Sequence, residues 1–213
     1  MGWFKDLLGT SNWQTAAPVA GGPLGMAQGK GVRFDSTLAL LLDGSTTVRV
    51  PFDQAIWSHG WVDLGQSNKL HRYYMNDEDF WLQIHVTGED QVESVTLFNY
   101  LSYVTVNSDA ELQRLAGPNS QIGLPGYKHD GVEYTREWGT EQGQTELVPL
   151  TEHVVNPDES YTIEHHSMLY ARETGLTDRR ELLLFSVEQD EEGTVSLSTS
   201  LGISLYTTDL STI

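Results

Sequence analysis

The chain has 213 residues, a formal net charge of −18 and no cysteine. The missing cysteines exclude disulfides, thiolate metal sites and a cysteine nucleophile. The acidity argues against nucleic acid as a partner: residues 1–75 carry six basic and five acidic groups, residues 76–213 six and twenty-five. Most of the chain would therefore repel a phosphate backbone.

With 38% hydrophobic residues, six Trp, nine Tyr and six Phe, the chain has enough apolar material for a core. No apolar run approaches the ~20 residues of a membrane helix. The start, Met1-Gly2-Trp3-Phe4-Lys5-Asp6, is a poor secretion signal. These features lead us to expect a cytoplasmic protein.

Residues 1–30 read as an N-terminal arm. Trp3, Phe4, Leu7 and Leu8 recur at helical spacing, and a Gly/Ala/Pro-rich linker follows. This apolar stripe is a candidate partner-binding segment, or an arm that packs on its own domain. Residues 31–213 read as one β-rich domain. Asp35-Ser36 can cap a short helix through Leu42, and Thr46 to Val50 alternates as a strand up to Pro51.

From Ala55 the pattern is strongly β. Strands are predicted over 55–64, 70–75, 80–87 and 92–106, separated by Gly-, Asn- and Asp-rich turns. Ser108 with Glu111 three residues on is a capping box, opening a helix that ends at Gly117-Pro118. Further strands are predicted over 132–138, 146–155, 161–172, 181–188 and 194–205. Segments 55–106 and 132–205 echo each other as strand, hairpin, strand, acidic hairpin, strand. The expected fold is mainly β, with α+β as the neighbouring class: antiparallel sheets in a sandwich or two packed meanders, with two or three short helices.

The sequence contains no phosphate loop, dinucleotide fingerprint, zinc-protease helix, nucleophile elbow or EF-hand loop. Arg72 and Tyr74 share a strand face, and Arg136 and Arg172 also lie beside aromatics. An arginine in such a setting can hold a carboxylate or phosphate ligand, or pair with a carboxylate of its own chain. If the turn at Asn156-Pro157-Asp158-Glu159 sets Glu152 opposite Glu164, His166 joins them as a candidate divalent-metal set, and His153 and His165 become neighbours on the other face. That set depends on register, since a slip of one residue exchanges the faces. Trp57, His59 and Trp61 share a face and could form a stacking platform or part of a core. No catalytic residue and no cofactor is expected.

The segments Gly60-Trp61-Val62-Asp63-Leu64-Gly65, Leu70-His71-Arg72-Tyr73-Tyr74, Ile122-Gly123-Leu124-Pro125 and Met168-Leu169-Tyr170-Ala171-Arg172 resemble the bacterial YjfK-like family, a domain family of unknown function. The resemblance runs from about Gly29 to the C-terminus. It implies a genomic context near PspA-like membrane-remodelling proteins and small membrane proteins, and it implies no site residues. Two readings follow. One is a non-catalytic accessory module with a protein partner, such as a PspA-like protein, in a membrane-associated or envelope-stress system. The other is an enzyme or small-ligand binder with Arg, His and carboxylates in a β cleft.

Overall fold

The computed structural model describes residues 21–89 and 91–213. The stripe of Trp3, Phe4, Leu7 and Leu8, expected from the sequence as a candidate partner-binding segment, lies outside them. The wall of the molecule is built from β2 (Gln54–Gly65), β3 (Asn68–Met75), β4 (Phe80–Thr87), β5 (Gln91–Val106), β8 (Val148–Val155), β9 (Ser160–Glu173), β10 (Arg180–Gln189) and β11 (Val195–Leu205). Neighbours pair antiparallel in the order β2-β3-β4-β5-β11-β10-β9-β8, and β8 pairs back onto β2. The eight strands therefore close into a barrel.

This corrects the expected sandwich. The two meanders lie edge to edge, joined by β5 with β11 on one side and by β2 with β8 on the other. The second seam holds four residue pairs, from His59↔Val155 to Val62↔Glu152. Closure removes the free edges that an open sheet of this size would leave.

Outside the closed ring, β1 (Gly31–Phe34) and β12 (Leu210–Thr212) extend the sheet from β2, while β6 (Gly126–His129) and β7 (Val132–Arg136) extend it from β9. Two short α-helices complete the described chain, α1 (Leu38–Leu42) and α2 (Asp109–Ala116). In α2 the Ser108 hydroxyl accepts from the Glu111 amide, and Glu111 in turn accepts from the Asn107 amide. The cap read from the sequence forms there.

Burial tells the inside of the wall from the outside. Along β8, Thr151 and His153 are exposed while Glu152 and Val154 are buried. Along β9, Glu164 and His166 are exposed while His165 and Ser167 are buried. The inner face thus carries Glu152 and His165, and cross-strand pairing extends it to Arg72, Tyr74, Trp81, Phe98, Tyr100, Leu184, Ser186, Glu188, Ser198 and Ser200.

The outer face is also largely covered. Tyr73, Leu82, Ile84, Leu97, Leu183 and Ile203 are fully buried in a core shared with Met26, Phe34, Leu38, Leu42, Val48 and Ile122. Part of the cover is residues 45–49, which cross the outside of the barrel as a strap. There the Arg49 amide donates to Asn99 at 2.6 Å, and the Arg172 guanidinium donates to the Ser45 carbonyl at 3.0 Å. The strand predicted over Thr46 to Val50 does not form. The Thr47 and Arg49 amides donate instead to the wall side chains Glu181 and Asn99, the Val48 amide donates to the Thr46 hydroxyl, and the Thr46 amide donates to the Leu42 carbonyl.

Candidate functional site

The inner face has an apolar end and a polar middle. At the apolar end Trp81 stacks on Phe98, with ring centroids 4.2 Å apart, and Leu184 packs on both. Gly202 faces Phe98 so closely that an added Cβ would meet the ring at 2.6 Å.

In the polar middle, Arg72 from β3 reaches past β2 to Glu152 on β8, with Nη1 2.6 Å from Oε2. Its Nε donates to Gln83 Oε1 at 3.2 Å, and its guanidinium lies 5.4 Å from the centre of the Trp81 ring. The Tyr74 hydroxyl donates to Glu152 at 2.9 Å. His165 Nε2 lies 3.0 Å from the same carboxylate, and its Nδ1 lies 3.0 Å from Ser186 Oγ. Gly60 makes this convergence possible: a Cβ there would stand 1.7 Å from Glu152 Oε1. An isolated glycine inside a strand marks such a close approach.

Electrostatics follow from this enclosure. Burial alone would raise the Glu152 pKa, but the Arg72 charge and the His165 and Tyr74 hydrogen bonds outweigh it and hold the carboxyl at about 2. Burial pushes the Tyr74 and Tyr100 phenols up, with Glu152 and Glu188 adding to it. Glu188 is raised by burial against the opposing pull of His165, Ser198 and Arg72. The enclosed space among these side chains is about 10 Å³, the room of about one water. A larger hollow of about 70 Å³ lies above it, lined by Trp57, Ser58, Asn76, Glu78, Tyr74 and Tyr100. The two tyrosines line both spaces.

The candidate residues from the sequence are distributed as follows. Arg72 and Tyr74 come together on Glu152. Arg136 lies on the outer face and ties the loops around it by donating to the carbonyls of Gly123, Glu141 and Gly143. Arg172 also faces outward and donates to Glu181 at 2.7 Å. Each arginine is thus engaged by the chain's own acceptors.

The structure does not assemble the set Glu152, Glu164 and His166. The turn closes over four residues, with the Asn156 amide donating to the Glu159 carbonyl, so Val155 pairs with Ser160 and Glu152 with Ile163. Glu164 and His166 therefore point outward while Glu152 points inward. His153 is likewise outside, away from His165. Among the described residues no three His, Asp or Glu side chains gather as a metal-holding group.

On the outer face of β2 and β3, His59 Nε2 lies 3.0 Å from His71 Nδ1. The rings are within 5° of parallel with centroids 5.2 Å apart, which places the two nitrogens in line within one plane. That is hydrogen-bond geometry, and no metal ion fits between the nitrogens. Burial, and then His71, lower the His59 pKa to about 4.

Sequence reasoning missed Glu188, Ser186 and Gln83 as members of the inner network. A signal for the polar interior was present in Val195–Leu205, where Ser196, Ser198 and Ser200 alternate with Val195, Leu197, Thr199 and Leu201, three of them apolar. In a strand buried on both faces, that alternation marks one polar compartment and one apolar one.

Fold and site together define a mainly β protein, a closed antiparallel barrel with a buried Arg-Glu-His network. The chain belongs to the family described as a protein of unknown function (DUF2491), which matches residues 3–211. No curated protein and no solved structure matches the chain.

Proposed function

We propose that this protein is a non-catalytic binding module that recognises a protein partner through its outer surface. The observation that carries this reading is the filled interior: where Arg72, Glu152 and His165 converge there is room for about one water, well short of the 300–1,000 Å³ of a typical ligand pocket. The outside offers apolar groups in contrast. Leu40 is 79% and Phe52 93% exposed. The stripe of Trp3, Phe4, Leu7 and Leu8 is the recognition segment in this reading. The family resemblance supports a role as a cytoplasmic accessory protein in a bacterial membrane-associated or envelope-stress system, with a PspA-like protein as the first partner to try. No helix among the described residues is long and apolar enough to cross a membrane.

The test compares the full chain with a chain lacking residues 1–15, titrated into a purified PspA-like protein by calorimetry, with thermal stability measured alongside. Binding by the full chain, lost on deletion at unchanged melting temperature, supports the reading. Absence of binding by either chain rejects this partner. A second reading, a small-ligand binder, rests on a groove of about 590 Å³ lined by Leu112, Ala116, Gln144, Leu147, His166 and Val187, which is of ligand-pocket size. A thermal shift with a metabolite panel that disappears in His166→Ala would favour it over the first.

A further inference from the structure

The charges inside the barrel do not balance without a proton. The enclosed network holds one fixed cation, Arg72, and two carboxylates, Glu152 and Glu188, with His165 between the carboxylates. His165 Nε2 is 3.0 Å from Glu152 and Nδ1 is 3.9 Å from Glu188. The side chains of Arg72, Glu152 and His165 are at most 4% exposed and that of Glu188 is 15% exposed. Two carboxylates against one guanidinium leave a net negative charge where an unpaired charge is costly.

We propose that the barrel interior is a proton-binding site shared by His165 and Glu188, and that release of this proton loosens the barrel as the pH rises. With the proton on the imidazole, a cation faces two carboxylates. With the proton on Glu188, a neutral imidazole faces a carboxylic acid. Both forms leave the interior neutral.

The hydroxyls allow either form. Ser186 Oγ lies 3.0 Å from His165 Nδ1 and 2.8 Å from Ser167 Oγ, so Ser186 can donate to the imidazole or accept from it. Ser198 donates to Glu188. Glu152 is not the proton holder, because Arg72 and Tyr74 fix it as the carboxylate.

Other titratable groups face the pair. They are Tyr74 on β3, Tyr100 and Tyr103 on β5, and Tyr161 on β9, all pushed up by burial and so neutral through the working range. Glu159 acts on Tyr161 and Asp190 on Tyr103, and both add negative charge. They favour keeping the proton. Tyr74 and Tyr100 line both the enclosed space and the neighbouring hollow, and the 15% exposure of the Glu188 side chain gives the released proton access to water.

The sign follows from linkage. The unfolded pair keeps one proton on histidine, so the reference is the unfolded histidine as well as the unfolded glutamate. Loss of the proton leaves two carboxylates against one guanidinium in a buried site, and the folded pair holds it to a higher pH than either unfolded group does. The stability it contributes is full below the ordinary histidine value and is lost as the pH rises through the folded value.

The experiment is thermal unfolding of the full chain from pH 5 to 9, for the wild type and Glu188→Gln. In the wild type the melting temperature should fall on the alkaline side by roughly 2–4 °C or more. In Glu188→Gln one carboxylate is gone, the interior is neutral with a neutral imidazole, and the alkaline fall should vanish. An alkaline fall of equal size in both chains, or none in the wild type, overturns the proposal. If Glu188→Gln does not fold, carbon-13 NMR of the wild-type Glu188 carboxyl and the His165 ring decides. Retention of one proton on the pair above the ordinary histidine range supports the shared proton. Loss of both protons at or below that range removes it.

Discussion

Arg72 and Glu152 are 80 residues apart in sequence and bind each other at 2.6 Å across an intervening strand. The pair links β3 to β8 over Gly60, beside the seam that closes the barrel. Its role is therefore architectural as well as electrostatic: it can form only once β8 has joined the first meander.

Removing one member leaves the other buried and unmatched. Glu152→Leu and Arg72→Met should each destabilise the chain by about 3–5 kcal/mol, and the double variant by less than the two together. Urea unfolding of the three variants measures this. Additive losses would show that the two residues do not act as a pair.

Gly60→Ala should cost about 1–3 kcal/mol or more, because its Cβ needs the space held by the Glu152 carboxylate. Gly143→Ala is the control, since nothing lies within 4 Å of its added Cβ. Its change should stay within about 0.5 kcal/mol. Equal effects at the two glycines would contradict the close approach.

Much of the wall was legible in the sequence. Alternation and turn residues place most of the barrel strands to within a few residues, and the α2 cap was readable from Ser108 and Glu111. Closure was not. It rests on four residue pairs between β2 and β8 that are about ninety residues apart, and neither strand carries a local mark of its second neighbour. The candidate site failed at one turn for a related reason. Two readings of the loop at 156–159 differ by a single residue, and that residue decides whether Glu152 meets Glu164 outside or His165 inside. Pro51 and the alternation before it suggested a strand, but which groups would satisfy those amides depended on Asn99 and Glu181, far along the chain.

Acid should weaken the fold in two stages. His59 sits at about 4, below the ordinary 6.5, so its contribution is full above pH 6.5 and is lost as the pH falls from there to 4. Glu152 sits at about 2, below the ordinary 4.5, so its contribution is lost between pH 4.5 and 2. The first loss is up to about 3 kcal/mol at 1.36 kcal/mol per unit. Denaturant unfolding of His59→Gln at pH 7 and pH 4.5 checks it: the variant should lose less stability than the wild type over that interval. A loss as large as the wild type's would assign the first stage to another group.

The strap should come off the barrel when its anchor is cut. Glu181 is 1% exposed and accepts from Arg172 at 2.7 Å, from the Tyr134 hydroxyl, and from the Thr47 amide at 3.3 Å. One carboxylate thus fastens residues 45–49 to β7, β9 and β10. Glu181→Ala removes the carboxylate partner of the half-buried Arg172 guanidinium and frees the Thr47 amide, while the barrel seams stay intact. Local opening then becomes cheap relative to global unfolding. Arg49 is the reporter. It bonds Asp79 at 3.0 Å near the surface, and the chain after it is a trypsin site once the strap lifts. The expected outcome is rapid cleavage after Arg49 in Glu181→Ala under conditions where the wild type is cut slowly, with the far-ultraviolet β signal unchanged. Conversion of this carboxylate to alanine without faster cleavage would mean that the apolar contacts of Leu38, Leu42 and Val48 hold the strap by themselves.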